Sequence, residues 1–218
     1  MNFISAQEAA EQIKNGDSIG FSGFTASGTP KVVTEALAEK AIKEHEAGRE
    51  FKVNMFTGAS TNDHVDGALA RANAINMRTP YQSNADLRKR LNVHDAHYFD
   101  LHLSELAQKM RYGVFGKLNV AIMPTIAAMA DKIIVELNDA LPKTLRGLHD
   151  LYLPLDPPYR REIPIYKASD RIGTPILKVD PSKIIGVVKS SAKDGVKGFA
   201  ELDAVTMQIG ANVCNFLL

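Results

Sequence analysis

Asp17-Ser18-Ile19-Gly20-Phe21-Ser22-Gly23-Phe24-Thr25-Ala26-Ser27-Gly28-Thr29-Pro30-Lys31 is the stretch that decides the fold. A short strand, Ser18 to Phe21, runs into a loop of glycines and small hydroxyl residues, and Pro30 is expected to open a helix with Thr29 as its N-cap. Proline suits the first helical position because its φ is pre-set and its missing N–H would be unpaired there anyway. A threonine hydroxyl before it can accept from a first-turn amide. Strand, small-residue loop and helix N-terminus together form a concave cluster of backbone N–H groups, suited to a carboxylate, oxyanion or phosphate. Neither GxGxxG nor Walker spacing is present, so the residues alone also allow an ordinary βα turn.

The pattern repeats outward from this stretch. Phe51 to Thr57 reads as a strand and enters a second small-residue loop, Gly58-Ala-Ser-Thr61, before a helix over about Asp63 to Ala72. Further strands are expected at Ile75–Arg78, His97–Phe99, Val120–Ile122, Lys132–Leu137 and Ile184–Val188. Ser5 and Glu8 form a capping box for a first helix that buries Ala9, Ala10 and Ile13 and ends near Gly16. Other helices are expected from Pro30 to Gly48, Asp86 to Leu91, Ser104 to Arg111, Pro124 to Ala130, and from about Phe199 onward. Strands alternating with helices predict an α/β fold, a mainly parallel sheet with helices on both faces. In such sheets ligands sit at the carboxyl ends of the strands, where both small-residue loops fall.

The 218 residues have 45% apolar and 23% charged side chains and a net charge of +1. That balance gives no support to a nucleic-acid partner. Cys214 is the only cysteine, so no intramolecular disulfide and no CxxC metal site can form. The N-terminus lacks a basic n-region and apolar run, and no apolar stretch approaches a membrane span; the expectation is a soluble cytoplasmic domain, not one bound to a membrane.

Three features break the pattern. Ile122-Met123-Pro124 passes from strand to helix with almost no loop, whereas βα connections typically use ~2–6 residues. A segment is therefore expected to be missing between Ile122 and Met123. Residues 142–181 hold seven prolines and little periodicity, an irregular excursion too apolar to be a disordered linker. The last helix carries Leu202, Val205, Ile209, Val213 and Phe216 on one face and stops in mid-pattern, so the chain is expected to continue beyond Leu218.

Several segments resemble the acetyl-CoA hydrolase/transferase family of CoA-transferases. Gly20-Phe-Ser-Gly-Phe-Thr25 with Gly28, Pro30 and Lys31 is similar to its N-terminal signature. Thr57–Thr61 with Asp66-Gly67, Arg78 with Pro80–Ser83, Phe99–Ser104, Ala130–Glu136, Gly147–Asp150, Asp170–Gly173 and Val179–Lys183 follow in order. The resemblance covers essentially the whole chain and implies a NagB/RpiA/CoA-transferase-like domain, the N-terminal half of a two-domain protein. It implies that the nucleophilic glutamate and the glycine-rich CoA loop lie in a C-terminal catalytic domain absent from residues 1–218, and that this chain holds no catalytic residue.

In the family's chemistry a glutamate carboxylate attacks an acyl-CoA thioester, a mixed anhydride forms, and CoA returns as a glutamyl thioester that the acceptor carboxylate resolves. Each step passes through an oxyanion, and one fixed donor is worth about 2.7–4 kcal/mol. The resemblance implies that this half supplies pocket walls. Gly23, Phe24 and Thr25 would line the pocket; Ser60 and Ser83 would donate hydrogen bonds, or else act as a helix cap and a turn residue. Arg171 would grip a carboxylate, or else pair with Asp170 or Asp180. Acyl-CoA thioesters and small carboxylates such as acetate, propionate or succinate are the implied substrates, with no permanently bound cofactor; the implied partners are the C-terminal domain and a second copy in a homodimer.

Competing constellations carry less. His94-x-x-His97-x4-His102, with Asp95 and Asp100, lacks metal-binding spacing, so no metal is expected. His149 beside Asp150 suggests an oriented base, or a structural hydrogen bond. Glu136 is expected to pair with Lys132 or a loop amide rather than act as nucleophile, and Cys214 to pack. A small-anion or acyl-CoA binding module without turnover, and a sugar-phosphate isomerase-like enzyme, remain the alternative functions.

Overall fold

Alternation along the strands sorts the core into two layers. Ile19 and Phe21, Val53 and Met55, Val120 and Ile122, Ile134 and Val188 point to one side, where they pack with Ala9, Ala10, Ile13, Leu37 and Leu69. Phe56, Ala121 and Ile133 point to the other, against Leu106, Leu118, Ile126 and Ala127. A strand buried on both faces in this way belongs to a parallel sheet covered by helices.

The structure, a computed structural model, describes residues 2–217 except 60–61, 123–125, 153–154, 156–157, 160 and 196–199. Its strands are β1 (Ser18–Phe21), β2 (Val53–Phe56), β3 (Ile75–Thr79), β4 (His97–Tyr98), β5 (Val120–Ile122), β6 (Lys132–Asn138) and β7 (Ile184–Ser190). They form one sheet of seven strands in the order β4-β3-β2-β1-β5-β6-β7, every pair parallel. The helices are α1 (Ala6–Glu11), α2 (Val32–Glu46), α3 (Ala68–Arg71), α4 (Ala85–Asn92), α5 (Leu103–Arg111) and α6 (Ala204–Leu217). The capping box of α1 is present as expected, with Ser5 and Glu8 exchanging hydrogen bonds.

Several helical expectations need correction. α1 ends at Glu11, short of Gly16, whose φ of 83° makes a separate turn. The helix expected over 63–72 opens as a π-helical turn, Asp63–Gly67, before α3. The helix expected at 124–130 is only a 3-10 turn, Ala127–Met129, and the junction suspected of lacking a segment falls on 123–125, outside the described residues. α6 begins at Ala204 and every side chain described on it is exposed, Cys214 included; the cysteine does not pack.

Beneath the second small-residue loop lies a buried ion pair. Arg78, at the end of β3, and Asp66, on the π-helical turn, are both fully buried. The guanidinium donates from Nε to Oδ1 at 2.8 Å and from Nη2 to Oδ2 at 3.1 Å, and from Nη1 to the Thr79 carbonyl at 2.8 Å. Burial pushes the Asp66 carboxyl up from its ordinary value, and the neighbouring Arg78 charge opposes that rise. The same Thr79 carbonyl accepts from Thr57 on the β2 side at 3.3 Å, so the pair fixes the floor under the loop that follows β2.

The proline-rich excursion folds back on itself. Leu151 and Thr174 exchange backbone hydrogen bonds at 2.9 and 3.0 Å, and Asp150 accepts from the Ile172 and Gly173 amides. A Cβ on Gly173 would lie 2.1 Å from the Leu151 carbonyl oxygen, so only glycine fits this crossing.

Candidate functional site

β1 is the centre of the sheet, and the strand order turns there: β2 lies on one side of it and β5 on the other. Such a switch point leaves a crevice beyond the carboxyl ends of the strands. The loops after β1 and β2 meet at that crevice. Thr25 donates its amide to the Ala59 carbonyl at 2.8 Å, and Asn62 donates through Nδ2 to Ala26 O and Thr29 Oγ1, both at 2.8 Å. A Cβ placed on Gly58 would lie 3.4 Å from the Gly23 carbonyl oxygen. The two corners read from the sequence are therefore neighbours.

Within the first loop, Phe24 and Ser27 exchange backbone hydrogen bonds at 2.9 and 3.1 Å, and Ser22 Oγ donates to Gly28 O at 2.6 Å. The turn requires positive φ at Gly23 (133°), Thr25 (53°) and Gly28 (67°). Glycine adopts these angles freely, but a β-branched residue there is strained, at a cost on the order of 1–3 kcal/mol. Thr25→Gly is expected to raise stability by about 1 kcal/mol, read from the urea midpoint. A fall in the midpoint would mean that the threonine side chain holds the loop.

Two clefts open beside this loop. The larger, about 770 Å³, runs from Gly23 and Phe24 past Ile122 to Val135 and Leu137 of β6 and Leu177 of the excursion. Its lining is mainly apolar, with Lys31, Glu136 and Asp194 gathered among its polar members. The smaller, about 320 Å³, lies between Ser22–Phe24, Thr57–Ala59 and the α5 residues Leu103 and Leu106. Gly23 and Phe24 line both, and Phe24 is 70% exposed.

The expected helix N-terminus is placed differently. α2 begins at Val32, not Pro30, and Lys31 stands at its N-cap without a side-chain cap of its own. Thr29 is turned to Asn62 instead of capping. The cap comes from β6: Glu136 Oε1 accepts from Lys31 N at 2.9 Å and Oε2 accepts from Val33 N at 3.1 Å. An external carboxylate matched to the positive end of the helix replaces the local hydroxyl. Glu136 thus pairs with amides, as one of its two expected roles had it, and both oxygens are engaged. The N-terminus of α2, read from the sequence as an open anion site, is filled by this carboxylate.

Lys31 is only 2% exposed, and its ammonium donates to Asp194 Oδ1 at 2.7 Å and to Thr29 O at 3.1 Å. Asp194 also accepts from the Gly28 amide, at 3.1 Å to each oxygen. The role of Asp194 was missed in the sequence, although one signal pointed to a partner. A lysine at a helix N-terminus runs against the dipole and implies a carboxylate supplied from elsewhere.

The other expected residues scatter. Thr25 contributes its amide to the joint between the loops but lines neither cleft. Ser60 lies outside the described residues. Ser83 is exposed, one residue before Asn84, which caps α4, and lines neither cleft. Arg171, expected to grip a carboxylate, lines neither cleft: its Nη1 donates to the carbonyls of Gly147 and His149 at 3.0 and 3.1 Å, holding the excursion together. Neither Asp170 nor Asp180 is its ion-pair partner; both accept from amides nearby. Asp150 is likewise occupied by amides rather than orienting His149. Among the described residues no group of three or more His, Cys, Asp or Glu side chains could hold a metal ion, and no helix is long and apolar enough to cross a membrane.

Residues 1–123 match the family model described as the acetyl-CoA hydrolase/transferase N-terminal domain. The chain is 36% identical over 235 residues to the propanoyl-CoA:succinate CoA transferase of Escherichia coli (strain K12), covering 99% of this chain and 48% of that protein. It is 38% identical over 234 residues to the succinyl-CoA:acetate CoA-transferase of Clostridium kluyveri, covering 98% and 43%, and 33% identical over 222 residues to the acetyl-CoA hydrolase of Yarrowia lipolytica, covering 89% and 42%. It spans about half the length of these relatives or less. Among solved structures, RipA from Yersinia pestis superposes with a TM-score of 0.61 at 14% identity, over 98% of this chain and 48% of that one, a likeness of fold.

Proposed function

This chain belongs to the acetyl-CoA hydrolase/transferase family, and from that premise we propose that residues 1–218 are the N-terminal domain of an enzyme that moves CoA between small carboxylates or hydrolyses acyl-CoA. The observation that carries the reading is the joint between the loops after β1 and β2, made by the Thr25 amide and Asn62. It brings the glycine-rich corners of both loops, Gly23 and Gly58 among them, to one crevice at the strand ends, a wall suited to a thioester carbonyl or a carboxylate.

The carboxylates of this wall, Glu136 and Asp194, are engaged by amides and Lys31. In this reading the attacking glutamate belongs to a second domain, and this half binds and orients the acyl group. Gly23 and Phe24 line the crevice, and Ser60 is the hydroxyl donor on the second loop. The protein works in the cytoplasm, on acyl-CoA and free acids, as a homodimer of two-domain chains.

The test is reconstitution. The chain is fused to the C-terminal half of its E. coli relative, and CoA exchange is followed with acetyl-CoA plus succinate or propionate. Exchange is expected from the fusion and not from the 218-residue chain alone. A folded fusion that binds acyl-CoA without exchange or hydrolysis would overturn the catalytic reading in favour of a binding module.

A further inference from the structure

Asn15 and Gly16 stand side by side in the turn that joins α1 to β1, and neither lines a cleft described above. The turn is closed by the Asp17 amide donating to the Lys14 carbonyl at 3.2 Å, while Asp17 Oδ2 accepts from the Lys14 amide at 2.8 Å. Gly16, its third residue, has a φ of 83°, a position that favours glycine. Asn15 and Gly16 are both exposed.

This residue pair carries a chemistry of its own. A side-chain amide can be attacked by the next backbone nitrogen, and glycine offers that nitrogen with no Cβ to shield it. Nothing lies within 4 Å of where a Cβ on Gly16 would be. The reaction needs only water. The Gly16 nitrogen gives up its proton and bonds to Asn15 Cγ, the Cγ–Nδ2 bond breaks, and ammonia leaves. Water then opens the cyclic succinimide at either carbonyl, leaving aspartate or isoaspartate at position 15; nothing is oxidised or reduced.

The fold holds both reacting groups elsewhere. Gly16 N donates to the Lys52 carbonyl at 2.8 Å, and Asn15 Oδ1 accepts from the Lys52 amide at 2.8 Å. One residue at the entry to β2 therefore engages the nucleophile and the electrophile at once, with the asparagine side chain standing in for a backbone carbonyl. A nitrogen donating to Lys52 does not close on Cγ, so the pairing has to part before the ring can form. The flanks are anchored independently. Lys40 Nζ holds the Ala10 and Ile13 carbonyls at 3.2 and 2.9 Å on one side, and Ser18 N donates to Asn119 Oδ1 at 2.9 Å on the other. The turn can lift between these anchors while the core stays closed.

We propose that Asn15–Gly16 is a modification site, converting spontaneously through a succinimide to aspartate and isoaspartate, and that its pairing with Lys52 is the gate that slows conversion in the folded chain. Conversion adds a negative charge beside Asp17. As isoaspartate it also lengthens the main chain at the turn, which puts the Gly16 amide out of register with Lys52.

The experiment incubates the 218-residue chain in mildly alkaline buffer and in concentrated urea. The peptide spanning Asn15 is followed by mass spectrometry for loss of the amide and by chromatography for isoaspartate. Conversion is expected in urea and at least about tenfold slower in buffer, since opening the gate breaks two hydrogen bonds. Below the unfolding transition the rate should stay flat as urea is added, because a local opening exposes little surface. Asp17→Ala removes the acceptor of the Lys14 amide and should raise the rate in buffer while leaving the rate in urea unchanged. Asn15→Gln should abolish the product in both. No conversion in urea would overturn the site. Equal rates in buffer and urea, a rate that climbs in step with the unfolded fraction, or no acceleration in Asp17→Ala would overturn the gate. None of these readouts involves an acyl group or CoA, so they stand or fall apart from the exchange assay.

Discussion

Arg78→Met is expected to destabilise the domain by about 3–5 kcal/mol, because it leaves the Asp66 carboxylate buried without its guanidinium. A domain of this kind has a total stability of about 5–15 kcal/mol, so the variant should unfold at a much lower urea concentration or fail to accumulate. Asp66→Leu combined with Arg78→Met should recover most of the loss, since a hydrophobic pair of similar volume is close to neutral at such sites. The contrast between single and double variants separates a buried ion pair from ordinary packing. A single variant within 1 kcal/mol of the unaltered protein would mean that water reaches Asp66. The loss should be felt first at Thr57 and Gly58, because Arg78 and Thr57 share the Thr79 carbonyl.

The second large effect is expected at Glu136. Replacing it with leucine removes the acceptor for the Lys31 and Val33 amides and the negative charge at the head of α2. Hydrogen bonds to a charged group contribute about 1.5–3 kcal/mol, so a loss of about 2–4 kcal/mol follows when the dipole term is included. Hydrogen exchange at Lys31–Val33 should accelerate while the rest of α2 stays protected. Glu136→Gln should fall between the two, since an amide side chain can accept through only one of its two ends. Unchanged exchange at Lys31–Val33 in the leucine variant would show that the helix end finds another acceptor.

Local patterns carried the architecture. Ser18–Phe21 and Val120–Ile122 are strands with the bounds their apolar runs suggest, and the remaining strands differ by a residue or two at their ends. Period-two alternation and turn residues are local signals, and a sheet covered on both faces reads them faithfully. The site was legible only in part. The proximity of the two loops followed from strand polarity, and the family resemblance pointed to Gly23 and Phe24, which line both clefts. Arg171 and Ser83 did not reach the clefts, because what a long or exposed side chain touches depends on the path of an irregular segment that has no period to read. The cap of α2 failed for a related reason: Thr29 and Pro30 are sound local signals, but a carboxylate 105 residues away wins the same amides. Tertiary contacts routinely override local propensity.

That distance has a consequence for how the molecule comes into being. The first βα unit is complete in sequence by Glu46, yet its helix cap waits for Glu136, and its loop waits for Asp194, 166 residues beyond Gly28. At a ribosomal pace of about 5–20 residues per second, the 105 residues between Lys31 and Glu136 take roughly 5–20 s to emerge. Through that interval the head of α2 frays on a nascent chain, with Lys31 in water. The crevice is therefore among the last parts of the domain to set, and closes only when β6 and the residues after β7 have left the tunnel.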